Sequence, residues 1–309
     1  MPRIAFLFPG QGSQHPGMGR ELAESFPQAQ QVYETADRVL GFSLSSICFE
    51  GTQEELNKTE ITQAAVLTTS LASFMVLKDK GLIPTVAAGL SLGEYSALVA
   101  CGALQFEDAL RLVIKRGQIM QKAVPIGQGM MAAVLGVEGD TVEQVCAEAS
   151  SYGVVEIANY NCPGQIVISG EKQGVIKAGE LLKDRGARVV PLAVSVPSHC
   201  RLMKEAAEIF REELEKVSWS KPSIPVVSNV TAQEIQQSDL PEILVKQLYR
   251  PVKWEQSIAF MSEKVDYFIE MGPGKVLSGL NKKVAKNKTL GSVQDPTSLE
   301  RVLKRIKGD

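Results

Sequence analysis

Apolar and polar positions follow two rhythms along the chain. A wholly apolar run at residues 4–8, closed by Pro9-Gly10, predicts a buried strand opening into a glycine-rich loop. Helical periodicity follows over 21–40 and 63–78, with loops around Gly41 and Gly51. Residues 85–90 form a second buried strand, with a helix starting directly after Ser91, and a further helix covers 107–123 and stops before Pro125. Strands alternating with helices in this order predict an α/β domain with a largely parallel sheet.

The middle of the chain changes rhythm. Strands at 130–137, 154–158, 165–169 and 187–194 enclose helices at 141–150 and 172–185, and Asn161-Cys162-Pro163-Gly164 reads as the turn between the central strands. That β-α-β-β-α-β order is the split, ferredoxin-like pattern. Gly127-Gln128-Gly129 and Ser195-Val196-Pro197 bracket it as hinges. The expected organisation is a large α/β core from residues 1–126 and 197–309, carrying a small α+β subdomain at 127–196. After the return come a helix at 201–216, a strand at 226–230 and a helical stretch over 240–263 broken near Pro251. A strand at 267–271 and two basic helical patterns close the chain.

Composition narrows the function. The 309 residues are 44% hydrophobic and 22% charged, ordinary for a globular chain with a sizeable core, and 33 basic against 35 acidic residues leave a net charge of −2. A balanced charge argues against gripping nucleic acid or an anionic membrane as the main task. No uninterrupted apolar run approaches the roughly 18 residues of a membrane span, and the first residues do not read as a signal peptide. Five scattered cysteines, with no C-x-x-C pair, fit reduced thiols in cytoplasm. With only His15 and His199 available, a multi-histidine metal site is excluded, and any imidazole base must be one of these two.

Gly89-Leu90-Ser91-Leu92-Gly93 is the only G-x-S-x-G, and it falls where a strand turns into a helix, as a nucleophile elbow requires. The helix start and the Leu92 N–H could then stabilise an oxyanion. The plainer alternative is a capping box from Ser91 to Glu94, which needs neither glycine. For the base, His199 lies at the junction where the inserted segment returns to the core, a frequent place for a cleft, whereas His15 reads as a surface residue. Cys200 adjoins His199, but sequence neighbours do not generally face each other, so a thiol–imidazole pair is discounted. Gln11, in its glycine-held loop, could also supply an N–H to an oxyanion.

Arg116 has apolar neighbours at Leu112, Val113, Ile119 and Met120, which places it on the core face of its helix. A guanidinium turned inward needs an acceptor. That acceptor is either an internal Asp or Glu or an anionic substrate group held in a fork. Two glycine-rich stretches carry no nucleotide reading. Pro9–Gln14 has His15 at the third fingerprint glycine, and Gly272-Pro273-Gly274-Lys275 lacks the P-loop spacing.

Seven motifs in order resemble the malonyl-CoA:acyl carrier protein transacylases of bacterial type II fatty acid synthesis over essentially the whole chain. They are Phe8-Pro-Gly-Gln-Gly-Ser-Gln14, Gly89-Leu-Ser-Leu-Gly-Glu-Tyr-Ser-Ala-Leu98, Lys115-Arg-Gly-Gln118, Asn161-Cys-Pro-Gly-Gln165, Val194-Ser-Val-Pro-Ser-His-Cys200, Gln247-Leu-Tyr249 with Pro251, and Glu270-Met-Gly-Pro-Gly-Lys-Val-Leu277. The resemblance implies a hydrolase-like α/β core with a ferredoxin-like subdomain. It implies Ser91 as nucleophile, His199 as base, Gln11 and the Leu92 N–H as oxyanion hole, and Arg116 as clamp for the malonyl carboxylate. Gln247 would lie beside the histidine, which a main-chain carbonyl orients in place of an aspartate, and Asn161 matches an asparagine near the cleft. The family's usual histidine before the nucleophile is Leu90 here, and no role is carried over to that position.

The implied reaction is ping-pong transfer of malonyl from malonyl-CoA to the phosphopantetheine thiol of an acyl carrier protein. It needs no metal or redox cofactor, nucleic acid or membrane. One alternative is a serine hydrolase or thioesterase, which would show an acid between Ser and His in chain order; Asp140 and Asp184 fall in helical parts of the insert. Another is a non-catalytic carrier-protein-binding module, against which Ser91 and His199 both argue. Residues 281–309 carry eight Lys/Arg against three Asp/Glu, a net +5 that is expected either as a solvated face or as a dock for an acidic carrier protein.

Overall fold

The computed structural model describes residues 2–125, 127–194 and 196–307. Ser195 of the expected return hinge, the boundary residue Ile126, and Asp309 of the basic end lie outside them. The first strand, β1 (Ile4–Phe8), leads through the glycine-rich loop to α1 (Arg20–Ser25), α2 (Pro27–Leu40), α3 (Leu44–Glu50), α4 (Gln53–Leu56) and α5 (Thr59–Asp79). The expected helix over 21–40 is therefore two, because Phe26 is extended and Pro27 starts a new helix at its first turn. Then come β2 (Val86–Gly89), α6 (Gly93–Ala100) and α7 (Phe106–Ala123). Helix α5 alone among the described helices has the length and mean hydropathy to cross a membrane, and 83% of its apolar window is buried in the fold. It is the central core helix.

The inserted segment runs β3 (Gly129–Leu135), α8 (Gly139–Ala149), β4 (Val155–Cys162), β5 (Gln165–Glu171), α9 (Lys172–Asp184) and β6 (Arg188–Pro191). Asn161 and Cys162 are the end of β4 and not turn residues; the reversal is made by Pro163-Gly164, with Gly164 at φ 73°. The chain returns through α10 (Lys204–Leu214), β7 (Val226–Val227), α11 (Leu240–Tyr249), β8 (Val252–Lys253), α12 (Trp254–Ser262), β9 (Tyr267–Met271), α13 (Val276–Val284), β10 (Thr289–Val293) and α14 (Pro296–Lys307). Pro251 divides the expected helical stretch over 240–263 into α11 and α12, with β8 between them. Strand β10 lies unforeseen between the two basic helices. Its run is short, and the register shifts between Thr289 and Gly291, which masks a period of two.

Strands β10-β9-β1-β2-β7 form the core sheet in that order, all parallel. Both faces are buried, which is why its strands read as continuous apolar runs. Along β1, Ile4, Phe6 and Phe8 enter the larger helical core around α2, α5 and α7, whereas Ala5 and Leu7 pack with Trp254, Ile258 and Leu277 of α12 and α13. The second sheet has the order β6-β3-β5-β4-β8. Its first four strands are antiparallel neighbours in the ferredoxin-like arrangement, with α8 and α9 on one face. The fifth, β8, comes from the returning chain and pairs parallel with β4 at Asn159 and Tyr160. One short strand of the core segment thereby completes the small sheet.

Candidate active site

Parallel pairing brings the site together at the C-terminal ends of β1 and β2. Phe8 is in register with Gly89, and the Leu90 N–H donates to the Phe8 carbonyl at 3.0 Å, so the Gln11 loop and the Ser91 turn leave the sheet side by side. The two glycines of the turn are required by contact. A Cβ on Gly89 would lie 1.8 Å from the Gly93 carbonyl carbon, and one on Gly93 would lie 2.0 Å from the Phe8 oxygen. Ser91 itself takes φ 53°, the left-handed region that a β-carbon disfavours. Such strain at a tight strand-to-helix corner is the mark of a nucleophile elbow. The capping-box alternative is not what forms: the Ser91 side chain caps nothing, and α6 has no side-chain N-cap.

His199 is the second residue held at positive φ (61°), and it is buried. Its Nε2 lies 2.8 Å from Ser91 Oγ, and its Nδ1 lies 2.7 Å from the main-chain oxygen of Gln247. The Nδ1–H therefore donates to that carbonyl and leaves the Nε2 lone pair to accept the serine hydroxyl proton. Burial, and next the positive charge of Arg116, depress the imidazole pKa to about 4, so the ring is a neutral base at ordinary pH. Cys200 turns away, its thiol donating to the Pro197 oxygen at 3.2 Å, and burial pushes it up to about 11. His15 is exposed and has no hydrogen bond to Ser91.

Arg116 is buried, as its helix pattern required, and its acceptors are not carboxylates. Nη1 donates to Gln63 Oε1 at 3.0 Å, and Nη2 to Gln247 Oε1 and Ser91 Oγ, both at 3.1 Å. Its Nε–H has no partner, and the guanidinium carbon stands 5.6 Å from the Tyr95 ring centroid. Burial lowers the Arg116 pKa from its ordinary value. The internal ion pair that was the alternative does not form among the described residues.

Gln247, fully buried, joins the parts. Its carbonyl orients His199, its Oε1 accepts from Arg116, and its Nε2 donates to the Ser91 oxygen at 2.9 Å and to the Glu94 carboxylate. Burial raises the Glu94 pKa to about 7 against the lowering effect of these contacts. Behind the turn, Asn229 accepts the Ser91 N–H through Oδ1 and donates from Nδ2 to the Gly89 oxygen, both at 2.6 Å. The Ser91 N–H is thus engaged. The helix bonds of the turn begin at Gly93, which leaves the Leu92 N–H outside them. Gln11 is exposed in the loop that follows β1. Asn161 is buried in β4 with its Oδ1 unpartnered, and the structure gives it no hydrogen bond to Ser91, His199 or Arg116.

Gln63, Glu94, Tyr95 and Asn229 are the contributors that the sequence patterns missed. A glutamine and a glutamate inside otherwise apolar helices were signals on the same logic that singled out Arg116. Asn229 carried none, since it acts across 138 residues.

A serine on such a corner, bonded to a neutral imidazole, defines the class of serine acyl-transfer and hydrolase proteins. A family model described as acyl transferase domain matches residues 5–304. The chain is 50% identical over 311 residues to the malonyl CoA-acyl carrier protein transacylase of Bacillus subtilis (strain 168), covering 99% of this chain and 98% of that one. The malonyl CoA-acyl carrier protein transacylase of Clostridium perfringens superposes with a TM-score of 0.96 at 44% identity, covering 99% and 98% of the two chains. A malonyl-transacylase in complex with its type II PKS acyl-carrier protein matches at a TM-score of 0.95 and 42% identity, over 99% and 100%. This chain belongs to the acyl transferase family and, within it, to the malonyl CoA-acyl carrier protein transacylases.

Proposed function

We propose that the protein moves the malonyl group of malonyl-CoA onto the phosphopantetheine thiol of an acyl carrier protein, supplying fatty acid synthesis. His199 Nε2 takes the Ser91 proton as Oγ attacks the thioester carbonyl. The oxyanion is held by the Leu92 N–H with that of Gln11. The C–S bond then breaks, and His199 returns the proton to the CoA sulfur. The carrier thiol repeats the sequence on the malonyl-serine ester, giving its proton to His199 and restoring Ser91.

The observation that carries the substrate choice is Arg116: a buried cation in contact with the nucleophile's oxygen, with a free Nε–H and no ion-paired carboxylate. A buried cation without a direct carboxylate contact is costly, and an acyl group ending in a carboxylate supplies that contact. The names of the full-length relatives support the same substrate. The hydrolase alternative is disfavoured, since His199 Nδ1 meets a carbonyl and not an acid.

For the carrier protein we assign the basic C-terminal face. Lys275, Lys282 and Arg301 border a groove of about 630 Å³, with Lys283 and Lys286 exposed on the same segment. Two of the eight basic residues there serve the fold instead: Lys288 donates to the Ser262 and Val265 oxygens, and Arg305 to that of Leu290. We place the protein in the cytoplasm, a location supported by five buried, unpaired cysteines, and take 127–196 as the small subdomain. Incubation with labelled malonyl-CoA and holo carrier protein tests the function. Label on the carrier protein is expected; label released as free malonate, with none on the carrier, would overturn it.

A further inference from the structure

Glu94 lies in α6 one turn beyond the nucleophile, wholly buried, and touches neither Ser91 Oγ nor His199. Its two oxygens accept from two different segments, Oε2 from the Gln247 amide and Oε1 from the Asn229 N–H at 3.4 Å. In its ionised form Glu94 is an acceptor on both sides, so only the NH2 end of Gln247 can face it. Together with the Ser91 carbonyl, which accepts from the same NH2 at 2.9 Å, Glu94 fixes the opposite end: Gln247 Oε1 is presented to Arg116 Nη2. Reversal of this amide would aim two donors at a guanidinium that can only donate.

We propose that Glu94 is a positioning residue for acyl-group selection, acting on Arg116 through the amide orientation of Gln247. The inference rests on Arg116 receiving the malonyl carboxylate, as in the function above. Its sign separates it from simple electrostatics. A negative charge near Arg116 competes with malonyl for the cation, so if Glu94 acted only by charge, its removal would raise the preference for malonyl over acetyl. If Glu94 acts by orienting the amide, its removal lowers that preference.

The test is acylation of the full-length protein by malonyl-CoA and by acetyl-CoA, read as the ratio of the two kcat/KM values. Glu94→Met keeps the length of the side chain and removes both acceptors, and should lower the ratio about tenfold, the worth of one hydrogen bond to a charged group. Glu94→Gln, which retains one acceptor oxygen, should recover part of that loss. In a Gln247→Met background the same Glu94→Met change should lower the ratio no further, because its route is already removed. A ratio that rises or stays fixed in Glu94→Met, or a full additional loss in the Gln247→Met background, overturns the inference. Should Glu94→Met not fold, Gln247→Met alone decides, and an unchanged ratio there overturns it. Wild-type protein that takes no malonyl group at all would instead refute the underlying function.

Discussion

Arg116 Nη2 lies 3.1 Å from Ser91 Oγ, although Arg116 stands on α7, Ser91 in the turn between β2 and α6, and the guanidinium is buried. A guanidinium is thereby held against the atom we propose as the site of the acyl ester. Replacing Arg116 with Ala should lower kcat/KM for malonyl-CoA on the order of 10²-fold or more, the worth of a buried charge-assisted contact. Acetyl transfer should hold or rise, and Lys at this position should rescue little because a point charge does not reproduce the planar fork. Equal losses for malonyl-CoA and acetyl-CoA, with a lowered Tm, would show that the arginine only supports the fold.

The depressed pKa of His199 sets the pH behaviour. Acylation of the free enzyme by acetyl-CoA, which does not call on the Glu94–Gln247–Arg116 chain, should keep its rate well below pH 6.5 and lose it only near pH 4, where the imidazole finally protonates. Stability follows from the same group. The unfolded chain protonates it near 6.5 and the folded protein near 4, so its contribution is full above pH 6.5 and is lost as pH falls toward 4. Glu94 runs the other way. Its pKa is raised from 4.5 to about 7, so its contribution is full below pH 4.5 and is lost as pH rises to about 7. Acylation rates from pH 4 to 8 check the first statement, and denaturant midpoints of Glu94→Gln against wild type over the same range check the last. An acidic limb at pH 6.5 would show the imidazole to be unperturbed.

Asn229 should prove to be the brace of the turn. Asn229→Ala leaves the Ser91 N–H and the Gly89 oxygen without their partner in a buried place, each costing about 1–3 kcal/mol. The variant should melt several degrees lower and acylate more slowly with malonyl and acetyl alike, which separates it from the Arg116 variant. An unchanged Tm would show that the turn holds itself.

Arg116 was legible in sequence because four apolar neighbours at helical spacing left it only one face, and the Ser91 turn because two glycines bracket a serine between a strand and a helix. The partner of that arginine was not legible. Gln247 stands 131 residues away, and its role depends on which end of an amide faces which neighbour, a matter of tertiary packing. The core sheet was readable from its wholly apolar strands. The strand β8 was not, since two residues of the returning chain carry no period, and their pairing with β4 is decided by where the small sheet's edge lies.

The basic face makes a kinetic prediction. Reversing Lys282, Lys283 and Lys286 to Glu should raise the KM for carrier protein, and the effect should shrink as salt is added. Acylation by malonyl-CoA should not change, because none of the three touches Ser91, His199 or Arg116. Carrier-protein kinetics equal to wild type would move the docking surface elsewhere.

The malonyl-serine intermediate is tested most directly by peptide mass spectrometry of the protein after mixing with malonyl-CoA in the absence of carrier protein. One malonyl group is expected on the peptide containing Ser91, removed on adding holo carrier protein and absent in Ser91→Ala protein that keeps the wild-type Tm. A malonyl group on Cys101, Cys200 or any other side chain, or its persistence in Ser91→Ala, would contradict the account.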